Sequence, residues 1–455
     1  GEIPCYKVAE TDDFLAFLDV NPNSKGHTLC IPKKEVDKIF DLDEETYLNL
    51  MHFSRRVALA IEKAIPCKRV GMTVIGLEVH AQLLTKSKAY SSDSTEFGTL
   101  PNTNVSAITM GMPGTLPKIN KTVVDYAIKM GIALNCNIRE ENIYARKNYF
   151  YPDLPKGYQI TQDKTPICTE GFLPINRPDG SEMNVGITRI HMEEDAGKSI
   201  HIEGESDTLV DYNRAGVALI EIVTEPDIRT SDEAYSYLQE IKKIVKYLDI
   251  CDGNMEEGSL RCDANISVML NDASEFGTKV EVKNMNSFRN VQRAIEYEIV
   301  RQIEMCENGE EIDSDTRGFN ALNGTTTSQR SKENLNDYRY FPEPDLPPLI
   351  VSKEWVETVK SEMPILPRAL FQKFVAEYKL SEYDAQVLTD SKEIAQYFEE
   401  ICTFTKNYKS ASNWLMGTIK SYLNELTLHI TDFKLKPNQI AEIIQLIDDG
   451  QISNS

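Results

Sequence analysis

Four short segments alternate apolar with polar residues: GITRIHME (186–193), ALIEIVTE (218–225), ANISVML (264–270) and TKVEVKN (278–284). A period of two belongs to an extended strand, whose successive side chains point to opposite faces. Gly, Asn and Asp separate these segments between about residues 74 and 345. That texture predicts a strand-rich α+β domain with one polar sheet face. VGMTVIGLEVHAQLL (70–84) adds a further strand, which places Glu78 and His80 at i and i+2 on one face. Two helical segments interrupt the pattern, TVVDYAIKMGIALN and SDEAYSYLQEIKKIVKYL, the second with Ser231 or Asp232 as its cap.

The flanks read differently. Beyond PEPDLPPL, segments such as KEIAQYFEEICTF, ASNWLMGTIKSYLNEL and PNQIAEIIQLIDDG follow the 3.6-residue period, which predicts a helical bundle from about residue 350. Before residue 72, FLAFLDV and HTLCIPK are strand-like. The segment DLDEETYLNLMHFSRRVALAIEKAI is a helix capped by Asp41 or Asp43. One helix and a few strands are too little to bury a good core. The Gly start is read as a fragment or a processed start, and the QISNS end as a cut end.

A net charge of −22 argues against a whole-surface footprint for nucleic acid, while leaving room for a local basic patch. Nine dispersed cysteines without a CxxC pair fit reduced thiols in a cytoplasm. No apolar run approaches the roughly 20 residues of a membrane span, and the first residues do not read as a signal peptide.

The polar strand positions recur. His191, Glu193 and Asp195 share one face and Glu194 takes the other; Glu221 stands alone on an apolar strand. Arg261, Asp263 and Asn265 follow one another at i+2, as do Lys279, Glu281 and Lys283. Two readings are open: the wet side of an antiparallel sheet, or a face lined for Mg²⁺ and phosphates, with carboxylates for the metal and Arg or Lys for phosphate oxygens. Three further runs, 145–162, 211–229 and 328–349, mix Tyr with Arg and, in the first and last, Lys. They suit either RNA stacking or buried tyrosines with bonded hydroxyls.

From about residue 74 onward the motifs VIGLEVHAQL, MGMPGTLP, YFYPDLPKGYQITQ, HMEEDAGK, DYNRAGVALIEIVTEPD, DANISV, VEVKNMNSF and DYRYFPEPDLPP closely resemble the B-subunit family of tRNA-dependent amidotransferases. The resemblance continues in ASNWLMGTIKSYLNE and IAEIIQLIDDGQIS. It implies a glutamine-synthetase-like catalytic cradle (73–349), an all-α helical domain (350–430) and the start of a truncated helical tail (431–455). It implies ATP- and Mg²⁺-dependent phosphorylation of the side-chain carboxylate of misacylated Glu-tRNA(Gln) or Asp-tRNA(Asn). Ammonia from the A (glutaminase) partner would then displace the phosphate, with a small tethering C partner completing a heterotrimer. Carried over by motif, Glu78, His80 and Glu193 form the metal shell, with Glu281 a further candidate. Arg214, Lys283, Asn284, Arg330, Lys332 and Arg339 are candidates for phosphate or substrate contact. Many family members carry a cysteine pair before GMPGTLP; here Ser106 and Thr109 stand in those places, which argues against zinc.

Residues 1 to about 72 instead resemble the N-terminal half of a histidine-triad (HIT) domain, with His27 matching that family's early histidine. The His-x-His-x-His run that supplies its nucleophile is missing, so no nucleotide hydrolysis is expected from this part. The expectation is a chimera of two unrelated proteins joined at the VIGLEV strand, the alternative being a natural fusion. The weaker functional alternatives are a HIT-type hydrolase and a non-catalytic tRNA-binding subunit.

Overall fold

The computed structural model describes residues 6–18, 28–34, 42–64, 71–202, 204, 207–270, 275–331 and 338–453. His27 and Lys332 therefore lie outside the described residues. The chain divides into two compact units. The smaller comprises Gly1–Met72, Met269–Glu275 and Ile303–Glu311; the larger comprises Thr73–Val268, Phe276–Gln302 and Ile312–Ser455.

In the smaller unit β1 (Lys7–Glu10), β2 (Phe14–Leu18) and β3 (Thr28–Pro32) form an antiparallel sheet beside α1 (Glu44–Ala64). Asp43 caps α1, its Oδ1 accepting from the Thr46 amide at 2.9 Å. The buried apolar cluster among the described residues is small: Phe14, Ala16, Leu42, Leu50, Phe53 and Val57.

The larger unit opens with β4 (Gly71–Gln82), α2 (Lys121–Ala133), β5 (Asn137–Ile138), β6 (Glu141–Asn142), β7 (Ala145–Asn148) and β8 (Tyr158–Thr161). Next come β9 (Cys168–Asn176), β10 (Glu182–Glu194), β11 (Lys198–His201), β12 (Thr208–Asp211), β13 (Ala218–Thr224) and α3 (Ser231–Tyr247). The elements that follow are β14 (Leu260–Leu270), β15 (Val280–Lys283), α4 (Phe288–Asn308), β16 (Asp315–Asn320), β17 (Thr325–Ser331), β18 (Arg339–Pro342) and β19 (Leu349–Ile350). Nine strands make one sheet, in the order β17-β16-β15-β14-β4-β13-β10-β9-β5. A smaller sheet has the order β18-β7-β8. One face of the large sheet is apolar and packs on α2, α3 and α4 through residues such as Ile75, Leu77, Ile128, Ile220, Leu238 and Ile295. Burying that face fixes the register, because a slip of one residue would turn every side chain over. The α3 cap is Thr230, whose side chain accepts from the Glu233 amide at 3.1 Å. It stands one position before the expected Ser231, because Thr230 has the extended backbone a cap needs and Ser231 is already the first helical residue.

The remaining helices are α5 (Lys353–Ser361), α6 (Pro367–Ala376), α7 (Glu382–Thr389), α8 (Lys392–Phe404), α9 (Tyr408–Trp414), α10 (Lys420–Leu426) and α11 (Pro437–Asp448). A π-helical turn, Leu415–Ile419, joins α9 to α10, so ASNWLMGTIKSYLNEL is helical throughout but not uniformly α. This helical region has its own core around Phe374, Phe398, Ile401, Ile419 and Ile440, and Tyr247 at the end of α3 belongs to it. The chain is thus α+β with a helical C-terminal region, as its texture predicts. Among the described residues no helix is long and apolar enough to cross a membrane.

Candidate active site

Glu221 sits on β13 between β4 and β10, with His80 directly opposite on one side and His191 on the other. Its neighbours along β13 are buried and apolar, so the strand is held rigidly and Glu221 is buried at 7% exposure. Glu221 Oε2 lies 3.2 Å from His80 Nε2 and 3.4 Å from His191 Nε2. Glu193, two residues beyond His191 on β10, brings Oε1 within 3.9 Å of His191 Nε2. Lys147 of β7 approaches the same Glu193 oxygen at 3.8 Å. Burial alone would lower the His191 pKa, but Glu221 and Glu193 outweigh it and push it up to about 9. Burial opposes ionisation of Glu221, yet the two histidines hold its carboxyl well below the usual range.

One strand over lies a second group. Glu78 of β4, Asp263 of β14 and Glu281 of β15 offer oxygens that all lie within 4.8 Å of one another, as do ligand atoms of His80, Glu193 and Glu221. Asn265 Nδ2 donates to Glu78 Oε1 at 2.8 Å. Lys283 Nζ reaches Asp263 Oδ2 at 2.6 Å and Glu281 Oε1 at 3.0 Å, and Thr316 donates to Glu281 Oε2 at 2.9 Å. A buried Asn265 Oδ1 beside these carboxylates has no hydrogen-bond partner. Oxygen-rich donors with a spare amide oxygen fit a hard divalent cation, and the first group adds the single imidazole of His80.

The structure thus gathers Glu78, His80, Glu193, Glu281 and Lys283 on one sheet face. Arg214 takes another place. It precedes Gly216, whose φ of +84° makes the turn into β13. Its Nε and Nη2 donate to the carbonyls of Ala196 and Gly197 at 3.1 and 2.9 Å. Nε also lies 3.4 Å from Asp195 Oδ2, an ion pair without hydrogen-bond alignment. Asn284 is exposed in a left-handed conformation (φ +66°) just after β15. Arg330 pairs with Thr316 across β17 and β16, and Arg339 is exposed on β18 opposite Asn148. The Ser106 amide and the Thr109 hydroxyl both donate to Asp93 Oδ2.

Four residues of this site lie outside the set that the motifs single out: Glu221, His191, Asp263 and Lys147. A lone carboxylate on an apolar strand is the usable signal for Glu221. Lys147 gives no such signal, because it arrives from a different sheet. Around it, Tyr149 packs edge-on against Tyr338 at 5.4 Å, Lys147 lies over the Tyr338 ring at 5.2 Å, and Phe150 is 91% exposed. Arg146 Nε and Nη2 grip Glu343 at 2.6 and 2.9 Å, with Asp345 at 3.0 Å, and its guanidinium lies over Tyr158.

Residues 73–357 match the model of the GatB/GatE catalytic domain, and residues 396–455 match that of the GatB domain. Residues 1–88 match the HIT domain, overlapping the first match over 73–88. The chain is similar to the B subunit of the aspartyl/glutamyl-tRNA(Asn/Gln) amidotransferase of Trichlorobacter lovleyi, with 53% identity over 84% of this chain and 80% of the relative. The corresponding protein of Thermodesulfovibrio yellowstonii is 51% identical over the same shares, and that of Bdellovibrio bacteriovorus 52% over 84% and 79%. With the catalytic-domain match spanning the sheet that carries both carboxylate groups, the chain belongs to the GatB/GatE family.

Proposed function

We propose that the larger unit is the tRNA-dependent amidotransferase ligase. It phosphorylates the side-chain carboxylate of Glu or Asp on misacylated tRNA at the expense of ATP and replaces the phosphate with ammonia. The observation that supports this most directly is the pairing of two carboxylate-rich groups on one face with Lys283 and Lys147 at their margins. Magnesium held by Glu78, His80, Glu193 and Glu281, with Glu221 and Asp263, would neutralise phosphate charge. Lys283 and Lys147 supply fixed positive charge beside those carboxylates. The tyrosines of 149–151 and 338–340 offer stacking surface for the aminoacylated end of an RNA. Arg214, seated by Asp195 and two carbonyls, is assigned to phosphate or substrate contact. Asn284, Arg330, Lys332 and Arg339 are assigned to substrate or phosphate contact. The catalytic cradle would span 73–349, the helical domain 350–430, and 431–455 would begin the tail. The glutaminase partner (A) supplies ammonia, the small C partner tethers the pair, and the complex works in the cytoplasm.

The test is co-expression with the glutaminase and tethering partners, followed by an ATP- and tRNA-dependent amidation assay. Glu78→Ala and His80→Ala should abolish ammonia-driven amidation. Full activity with unaltered Mg²⁺ dependence in either variant overturns the metal assignment.

A further inference from the structure

Glu193 and Glu194 are neighbours on β10 and point to opposite faces. Glu193 joins the candidate metal site; Glu194 belongs to neither carboxylate group and is 2% exposed. A buried carboxylate is costly unless its charge and lone pairs are met. Here they are met largely from one short segment. Lys156 Nζ donates to Glu194 Oε1, and so does the Ile160 amide at 2.8 Å. Independently of the side chain, the Glu194 backbone carbonyl accepts from Gln159 Nε2 at 2.8 Å. On the other side stands Gly216, where an added Cβ would lie 3.6 Å from Glu194 Oε2 and 3.4 Å from Lys88 Cδ. Lys88, fully buried, ties down the carbonyl of Asn104 at 2.6 Å.

The cross-strand register gives this cluster its meaning. Gln159 and Ile160 lie on β8, and their partners on β7 are Lys147 and Arg146. Lys147 is the residue whose ammonium faces Glu193, and Arg146 is the residue that clamps Glu343 and Asp345. We infer that Glu194 is a positioning residue: by holding Lys156 and the Ile160 amide through its carboxylate it sets β7, with Lys147 and the aromatic run that follows, against the Glu193 side of the site. One side of β10 thus presents a carboxylate to the chemistry, while the next residue anchors the separate sheet that must face it. As far as activity is concerned, this rests on the function proposed above.

The test uses the chain in complex with its glutaminase partner. It combines amidation kinetics with hydrogen–deuterium exchange of residues 145–161. Glu194→Ala should raise deuterium uptake across that segment while leaving 185–192 protected. It should also lower kcat/KM for aminoacyl-tRNA by about tenfold or more, with KM for ATP unchanged. Glu194→Gln keeps an oxygen for the Ile160 amide and loses the Lys156 ion pair. It should recover most of the activity with a smaller rise in uptake, and it serves as the probe if the alanine variant does not fold. Unchanged uptake in 145–161 overturns the inference. So does a loss of activity that only follows a general loss of folded protein, with uptake raised throughout the sheet. If the unsubstituted complex itself shows no amidation, the proposed function fails, and the exchange measurement still decides whether Glu194 anchors β7 and β8.

Discussion

Glu221 holds two histidines at 3.2 and 3.4 Å from a single oxygen, so its removal takes from both imidazoles the carboxylate they share and leaves His191 with Glu193 alone. Glu221→Gln is expected to weaken binding of Mn²⁺, used as a stand-in for Mg²⁺, by at least about tenfold in calorimetric titration, because a ligand and its charge are lost together. Asp93 makes a useful contrast. It takes the backbone amide of Ser106 and the side-chain hydroxyl of Thr109, with the Ser106 hydroxyl a lesser support. Ser106→Ala keeps the amide bond and should shift stability by less than about 1 kcal/mol, whereas Thr109→Val should cost about 1–2 kcal/mol by leaving the carboxylate short of a donor. Thermal melting of the two variants separates these outcomes. Alternation alone tells Glu193 from Glu194, since neighbours on a strand face opposite ways. It also groups Glu78 with His80. It gives no ranking to Glu221, whose importance comes from being flanked by β4 and β10, a non-local arrangement that no single segment encodes.

At the scale of elements, α4 is fastened to β16 and β17 by Glu298. This fully buried carboxylate meets Arg301 Nη2 at 2.8 Å, Arg317 Nε at 3.1 Å and the Thr326 hydroxyl. Burial would raise its pKa, but Arg301 and Thr326 overcome that and hold it below its ordinary 4.5. A carboxylate depressed in the folded state contributes stability above the ordinary value and loses it as pH falls through the depressed one. Glu298→Gln should therefore lower the melting temperature at neutral pH and flatten the acid limb below pH 4.5, as followed by circular dichroism. The small sheet offers a second case. Arg146→Met leaves Glu343 buried without its partner and should cost about 3–5 kcal/mol. Adding Glu343→Leu should restore part of that loss, which a double-mutant comparison of unfolding curves measures. The helices are legible from their 3.6 period, but the π-turn at Leu415–Ile419 is not, because Gly417 and Thr418 weaken an α-helix without telling a π-turn from a kink or an end.

At the scale of the molecule, the sequence texture marks where the strand-rich and helical regions meet, and the structure gives each its own apolar core. Their seam combines apolar packing, with Val359 and Trp355 against the strand-rich core, and polar contacts. Lys243 meets Asp390 at 3.1 Å, Arg368 pairs with Glu182, and the Tyr247 hydroxyl donates to the Thr389 carbonyl at 2.8 Å. Exposed ion pairs weaken with salt. Calorimetry in high salt should thus separate the melting of the helical region from that of the cradle, and Tyr247→Phe should widen the separation. Residues Thr73–Val268 and the segments grouped with them form a compact unit of their own. A chain shortened to begin near Thr73 should accordingly keep its metal binding and amidation. The full chain should release no AMP from AMP-lysine, a loss expected from the missing histidine run and checked by chromatography.

The flanking of Glu221 by His80 and His191 carries one more consequence. A sheet assembled one residue out of step would swing this carboxylate into the apolar layer against the helices and leave both imidazoles facing nothing. The residues that would hold the metal therefore also act as a proofreading device for the fold. Only the correctly paired sheet assembles a place where a cation can settle, and the cation's arrival then rewards that arrangement over its near misses.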